Sequence, residues 1–275
     1  MTNIFNYIDR PSKIHDLTGA TKLVCLLLWS FAAMLTYDTR FLLLLTVFGL
    51  ILFKLGNIRI KDVSFITGFM LVFLVINTIL LYLFSPHHGT EIYGTTTYLF
   101  GMSGHFGLTA EQLFYQLNYL IKFLSTVPIV LLFVCTTNPS EFAASLNRIG
   151  VSYSISYAVA LALRYIPDIQ RSYDEISKAS QARGVEMSKK TSLVKRLKAA
   201  STILIPLILT SVDRIEGITN AMELRGFGKN KKRTWYMAKK FRAADYICMA
   251  VCACLLAISL TLNVINGGRY YNPFK

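Results

Sequence analysis

Two arginines followed by glycine, Arg183-Gly184 and Arg225-Gly226, stand 42 residues apart, each closing a run of Ile and Ala at helical spacing. The first run is Ile176, Ala179, Ala182-Arg183-Gly184, and the second is Ile218, Ala221, Leu224-Arg225-Gly226. Glycine just past a helix takes the left-handed conformation that ends it, and a cation in the last turn suits the dipole there. One such end is a cap and nothing more. Two in register also present a pair of forked donors. A guanidinium makes paired hydrogen bonds to a carboxylate and keeps its charge when partly desolvated, whereas lysine supplies charge without the fork. The chemistry this suggests is docking, and a partner with approximate twofold symmetry could receive both ends.

Other reactive constellations are sparse. The sequence has no Gly-x-x-x-x-Gly-Lys-[Ser/Thr], so no P-loop cradles nucleotide phosphates in this chain, and it has no His-Glu-x-x-His. No catalytic residue, metal ligand set or cofactor of its own is expected. His87, His88 and His105 fall in one polar loop and read as ordinary loop histidines. Cys25, Cys135, Cys248, Cys252 and Cys254 lie within or beside apolar runs without a Cys-x-x-Cys pair, and read as small hydrophobes. Lys122 lies near the middle of an apolar run, where an ionisable group is costly and is a functional candidate by default. Asn77 is a candidate neighbour for it. Arg164, also in an apolar run, is long enough to snorkel to the interface.

The elements that carry these residues are membrane elements. The 275 residues are 53% hydrophobic and only 16% charged, against roughly a quarter charged in a soluble domain. The apolar excess is gathered into runs at 22–36, 41–53, 63–84, 111–135 and 243–265. The first two are short against the roughly 20 residues that cross a bilayer and form a hairpin of short or tilted helices. The expectation is an all-α polytopic membrane protein with about five transmembrane helices. Residues 1–137 would form a membrane domain with the first four spans, 138–242 a cytoplasmic coupling domain, and 243–275 the last span and tail. The start of the chain is polar and carries both signs of charge, unlike a cleavable signal peptide.

The net charge of +14 would suggest nucleic acid in a soluble protein. Here the basic residues cluster between apolar runs, so the lipid bilayer is the expected partner and nucleic acid is not. Lys54, Arg59 and Lys61 place the loop after the second span inside, and residues 85–110, with no Lys or Arg, lie outside. Most of the 29 Lys and Arg residues fall in 138–242, again inside. The N-terminus is then cytoplasmic. Two half-length apolar stretches in that segment, 155–166 and 203–212, run on into amphipathic helices. The first carries Ile169, Tyr173 and Ile176, and the second Val212 and Ile215, with charged residues between. Such helices should leave the interface and carry their far ends into the cytosol. The basic run from Lys229 to Arg233 is an anchor on anionic lipid.

The second half of the chain carries, in order, Thr136-Thr137-Asn138-Pro139-Ser140-Glu141, Ala162-Leu163-Arg164-Tyr165-Ile166-Pro167 and Gln181-Ala182-Arg183-Gly184. Ile205-Pro206-Leu207 and Ala221-Met222-Glu223-Leu224-Arg225-Gly226-Phe227 follow. On these motifs it resembles the T component (EcfT/CbiQ-like) of energy-coupling factor transporters. The family's Asp-Pro-Arg-x-Lys-Leu stretch survives before the first span only as Lys22-Leu23, within Thr18-Gly19-Ala20-Thr21-Lys22-Leu23.

The resemblance implies that Ala182-Arg183-Gly184 and Leu224-Arg225-Gly226 dock on two ABC-type ATPase subunits, which would hold the ATP and Mg. It also implies a substrate-binding S component, a membrane protein that delivers a vitamin or other micronutrient. Its contact surface would be the face with Ile169, Tyr173, Ile176, Val212 and Ile215. For Lys122 it favours packing or a subunit contact over a proton path. The chain itself is then a scaffold and not an enzyme. Two rivals make different demands. A secondary transporter would use Lys122 in ion coupling and show inverted symmetry between halves, and an intramembrane enzyme would need convergent catalytic groups near the bilayer.

Overall fold

A computed structural model describes residues 12, 14–100, 107–185, 193–229, 234, 235 and 239–274. The chain divides into two compact units, one formed by Met1–Glu141 with Lys239–Lys275 and the other by Phe142–Ala238.

In the first unit, α1 (Gly19–Leu35) and α2 (Thr39–Leu55) follow one another across three residues, but each packs chiefly along a later helix instead of pairing closely as the expected hairpin. Thr18 caps α1 by accepting from the Thr21 N–H at 3.4 Å, and Asp38 caps α2 by accepting from the Arg40 N–H at 3.0 Å. Both caps satisfy donors that a helix start leaves open. At 17 residues each, these helices sit at the lower limit for crossing the hydrocarbon core. Next come α3 (Ile60–Phe84), α4 (His88–Tyr93), two short strands and α5 (Ala110–Thr136). Among the described residues, three helices are long and apolar enough to cross a membrane: Val63–Phe84, Ala110–Thr136 and Ala243–Ile265.

The core lies where α2 packs along α5 and α1 packs along the last helix, described below as α9. Trp29 is almost wholly buried among Ala32, Ala33, Phe41, Leu45 and Ile129. Its indole N–H donates to the Ser125 carbonyl at 3.1 Å, and its ring stacks on Phe48. An indole needs such a partner when it is buried. By contrast α3 leaves Phe65, Phe69 and Ile79 exposed. It meets α5 through an apolar cluster at its start, where Val63 and Ile66 pack with Leu131, Leu132 and Cys135, and through polar contacts farther along, with Tyr119 donating to Asn77 at 3.2 Å and Gln112 to the Ser85 carbonyl at 3.2 Å.

Residues 85–110 have more structure than a polar loop. Besides α4, Tyr98–Phe100 (β1) pairs antiparallel with Leu108–Thr109 (β2). The buried Glu111 carboxylate accepts from the Thr97 N–H at 3.0 Å and its hydroxyl at 2.7 Å. These polar anchors sit on the first turn of α5, where hydrophobic periodicity carries no signal. The C-terminal tail folds over the same region. Tyr37 donates its N–H to the Arg269 carbonyl at 2.7 Å and stacks on Tyr270, and Asn272 donates to the Tyr93 carbonyl at 3.1 Å.

After α5 come α6 (Pro139–Arg148), α7 (Tyr153–Ala182), α8 (Leu193–Leu224) and α9 (Ala243–Ile265). The helices α7 and α8 dominate the second unit and are the longest in the chain, with 30 and 32 residues. Each carries an internal proline, Pro167 and Pro206. Each proline removes one backbone donor and crowds the preceding turn. Just beyond Pro206, hydroxyls bond back onto the preceding turn: Thr210 donates to the Pro206 carbonyl and Ser211 to that of Leu207.

Candidate functional site

The two long helices run antiparallel. Tyr153 and Tyr157 near the start of α7 pack at a tilt against Phe227, just past the end of α8, with Tyr157 and Phe227 centroids 4.7 Å apart. Farther along, Ser172 of α7 accepts from Arg214 of α8 at 3.4 Å. Residue numbers therefore rise on one helix as they fall on the other. Trp235 completes the aromatic cluster and donates its indole N–H to the Asn147 side chain at 3.2 Å. Between the helices runs a groove of about 380 Å³ lined by Leu161, Tyr165, Ile169, Ile215, Ile218 and Met222, among others.

Both helices end in the same backbone motif. At α7 the Val185 N–H reaches back to the Ser180 carbonyl at 3.1 Å and the Gly184 N–H to that of Gln181 at 3.0 Å. At α8 the Phe227 N–H reaches the Met222 carbonyl at 2.9 Å and the Gly226 N–H that of Glu223 at 2.8 Å. These are Schellman closures, and they require the residue at the turn to be left-handed. Gly184 has φ +86° and Gly226 φ +65°, which is why glycine stands there. In each motif the C-cap position, one residue earlier, is the arginine.

The closure by itself is common in this chain. α6 ends that way at Gly150 and α9 at Gly267. In those helices the C-cap residue is Ile149 or Asn266. What distinguishes α7 and α8 is the cation at the cap, on residues that are exposed: Ala182, Arg183 and Gly184 at one end, Leu224 and Arg225 at the other, with Gly226 half-buried.

Of the residues assigned to an apolar contact face, Ile169, Tyr173, Val212 and Ile215 are exposed, and Ile176 is half-buried. Ile169 and Ile215 line the inter-helix groove directly. Large apolar side chains left outward on a helical pair mark a surface that meets lipid or another protein.

Lys122 is not left bare among lipid-facing side chains. Its ammonium donates to the Met34 carbonyl at 2.8 Å and lies 3.7 Å from the centre of the Tyr37 ring. That satisfies the charge with a helix C-terminal carbonyl and an aromatic face. Asn77, the candidate neighbour, accepts from Tyr119 instead. His88 packs edge-on against Tyr115 and lies 3.8 Å from Glu91. His105 and residues 230–233 of the basic run lie outside the described residues. Among the described residues no group of three His, Cys, Asp or Glu could hold a metal ion.

Sequence reasoning missed the Ser172–Arg214 contact and a buried polar cluster at the start of α1. The first had a signal, since Ser172 and Arg214 share the 42-residue offset of the two arginine ends. The second had a weaker one, since Asp245 stands three residues after Arg242 in a capping-box position.

These features define a helical polytopic membrane protein that carries a matched, antiparallel pair of long arginine-tipped helices. A family model described as CbiQ, cobalt transport protein, matches residues 11–236, and the chain belongs to that family, the EcfT/CbiQ-like T components of energy-coupling factor transporters. Similar proteins include the energy-coupling factor transporter transmembrane protein EcfT of Staphylococcus aureus, 27% identical over 96% of both chains. The protein of the same name from Exiguobacterium sibiricum is 26% identical over 95% of this chain and 98% of its own. That from Bacillus subtilis is 26% identical over 85% and 87%.

Proposed function

We propose that this chain is the transmembrane scaffold of an ATP-driven importer for a vitamin or other micronutrient, and that it transmits the motion of ATPase subunits to a substrate-binding S component. The observation that carries this reading is the pair of identical helix ends. Arg183 and Arg225 each cap a long helix, each is followed by a left-handed glycine, and both are exposed. Two ABC-type ATPase subunits would each receive one arginine in an acidic groove, where a guanidinium forms a bidentate, charge-assisted pair. ATP and Mg would be held by those subunits, and this chain would not hydrolyse ATP.

Closure of the two ATPases would move the arginine-tipped ends as rigid bodies, because a Schellman closure fixes the last turn. The exposed face with Ile169, Tyr173, Val212 and Ile215, together with Ile176, would carry that motion to the S component. The charge distribution supports a cytoplasmic second unit and N-terminus and an external 85–110 segment.

Replacing Arg183 and Arg225 together by Glu reverses both charges at exposed sites and leaves the closures intact. The double variant is expected to reach the membrane in normal amount, lose co-purifying ATPase subunits and lose ATP-dependent uptake. Intact assembly with wild-type uptake would sink the proposal.

A further inference from the structure

The polypeptide passes between the two units twice, leaving after Glu141 and returning at Lys239. Both passages are tied to the same place, the first turn of α1. On the outgoing side, the Glu141 carboxylate accepts from the Gly19 N–H at 2.9 Å. On the returning side, the Asp245 carboxylate accepts from the Thr18 N–H at 2.9 Å and the Thr21 hydroxyl at 2.8 Å, while its other oxygen accepts from the Arg242 N–H at 2.8 Å.

Two cations close the cluster. Lys22 donates to the Thr136 carbonyl at the end of α5, at 2.9 Å, and to the His15 carbonyl at 3.4 Å. Lys239 donates to that same His15 carbonyl at 3.2 Å and lies 3.6 Å from Glu141. Thr18, Thr21, Lys22, Thr136, Glu141 and Asp245 are all buried.

The physical logic is consistent across these contacts. A helix start leaves backbone N–H groups open and carries positive potential, so two carboxylates there are doubly favoured. Lys22 and Lys239 set two ammonium groups against the two carboxylates, which offsets part of the cost of burying the charge. Lys22 caps the C-terminus of α5, where a cation is favoured. Removing one member leaves a buried charge uncompensated.

We propose that this cluster is a fixed pivot: Glu141 and Asp245 are positioning residues that hold both connections of the second unit on the α1 start while that unit moves during transport. The proposal rests on the transporter reading above. With both connections anchored at one point of the first unit, a displacement passed along them would be delivered to α1 instead of being lost in slack chain. Lys22, the residue kept from the family's N-terminal stretch, would fix the α5 end to the same point.

The test uses the assembled complex in lipid vesicles and compares ATP hydrolysed with substrate imported. Glu141→Gln combined with Asp245→Asn keeps the shapes and removes the charges. The expected result is retained ATPase assembly and a drop in imported substrate per ATP of about tenfold, with Glu141→Asp restoring much of the ratio. A wild-type ratio in the carboxamide pair would overturn the pivot.

A second variant covers the case in which the carboxamide pair fails to fold. Gly19→Cys with Glu141→Cys, joined by a short bis-methanethiosulfonate that releases a sulfinate at each new disulfide, closes the outgoing tie covalently. A fixed pivot predicts that linking restores import relative to the unlinked variant, whereas loss of import on linking would mean that the tie opens in each cycle and would overturn the proposal. Wild-type protein that recruits no ATPase subunits would defeat the transporter reading instead. In that event amide exchange in the chain alone still decides the cluster's role, with Thr18 and Gly19 expected to exchange at least tenfold faster in Glu141→Gln/Asp245→Asn. Unchanged exchange there would overturn the pivot.

Discussion

Arg214 donates a hydrogen bond to Ser172 at 3.4 Å across α7 and α8, and the two residues occupy equivalent positions 42 apart in the two helices. In an antiparallel pair, contact between equivalent positions marks a local twofold axis. From that contact each helix runs a further 11 residues to its arginine, Ser172 to Arg183 and Arg214 to Arg225. At the 1.5 Å rise of an α-helix each arm is about 16 Å long. The sequence offset, the crossing point and the arm length are thus one relationship seen three times.

Equal arms lead to an expectation about single variants. Arg183→Glu and Arg225→Glu should each weaken ATPase association by a similar factor, on the order of tenfold or more. A charge-assisted bidentate pair is worth roughly 1.5–3 kcal/mol, and reversal adds repulsion to its loss. Arg→Lys at either site should fall between, since the charge stays and the fork is lost. Titrating detergent-purified variants with ATPase subunits measures this directly. A large defect at one arginine beside none at the other would contradict the twofold arrangement.

The glycines behind those arginines make a separable prediction. Gly184 and Gly226 have φ +86° and +65°, and an added Cβ at Gly184 meets no atom within 4 Å. The cost of Gly184→Ala is therefore conformational, roughly 1–2 kcal/mol for a left-handed L-residue. Spread over one helix end, this should fray the last turn of α7 without unfolding the chain. Hydrogen exchange at Arg183, Gly184 and Val185 should accelerate, while the melting temperature of the whole protein changes little.

Much of this organisation was legible in the sequence, and the parts that were not share a cause. Apolar runs at 63–84, 111–135 and 243–265 became α3, α5 and α9 because length and hydropathy alone decide a membrane helix. The arginine ends were legible because a Schellman closure leaves a glycine at a fixed place. The β1–β2 pair and the α1 polar cluster were hidden. Their cohesion comes from side chains far apart in sequence, Thr97 with Glu111 and Thr18 with Asp245, and no local period records such pairs. Lys122 was visible as an anomaly, but its partners, the Met34 carbonyl and the Tyr37 ring, come from a different helix and its following turn.

Gly89 tests whether the 85–110 region is a built element. Its N–H donates to the Gln112 side chain at 2.7 Å, and a Cβ there would lie 2.7 Å from the Gln112 backbone. Backbone cannot yield as a flexible side-chain tip does, so Gly89→Ala must push α4 off the start of α5. Overpacking of this kind costs about 1–3 kcal/mol. Proteolysis in the 85–110 segment should become faster, whereas Gly68→Ala within α3, with no atom within 4 Å of the added Cβ and no left-handed backbone to strain, should leave α4 seated.

Lys122 separates a packing role from an ion-coupling one. Its ammonium bridges the Met34 carbonyl and the Tyr37 ring, so it fastens α5 to the end of α1. A desolvated cation–π contact is worth about 2 kcal/mol, and Lys122→Met would forfeit it together with the hydrogen bond while keeping the stem's apolar contacts. The variant should lose thermal stability in detergent yet keep the wild-type ratio of substrate imported to ATP hydrolysed. Lys122→Arg should recover most of the stability, because a guanidinium also donates to a carbonyl and stacks on an aromatic ring. Import driven by an ion gradient without ATP, abolished by Lys122→Met, would instead assign the residue to ion coupling and overturn the fastener reading.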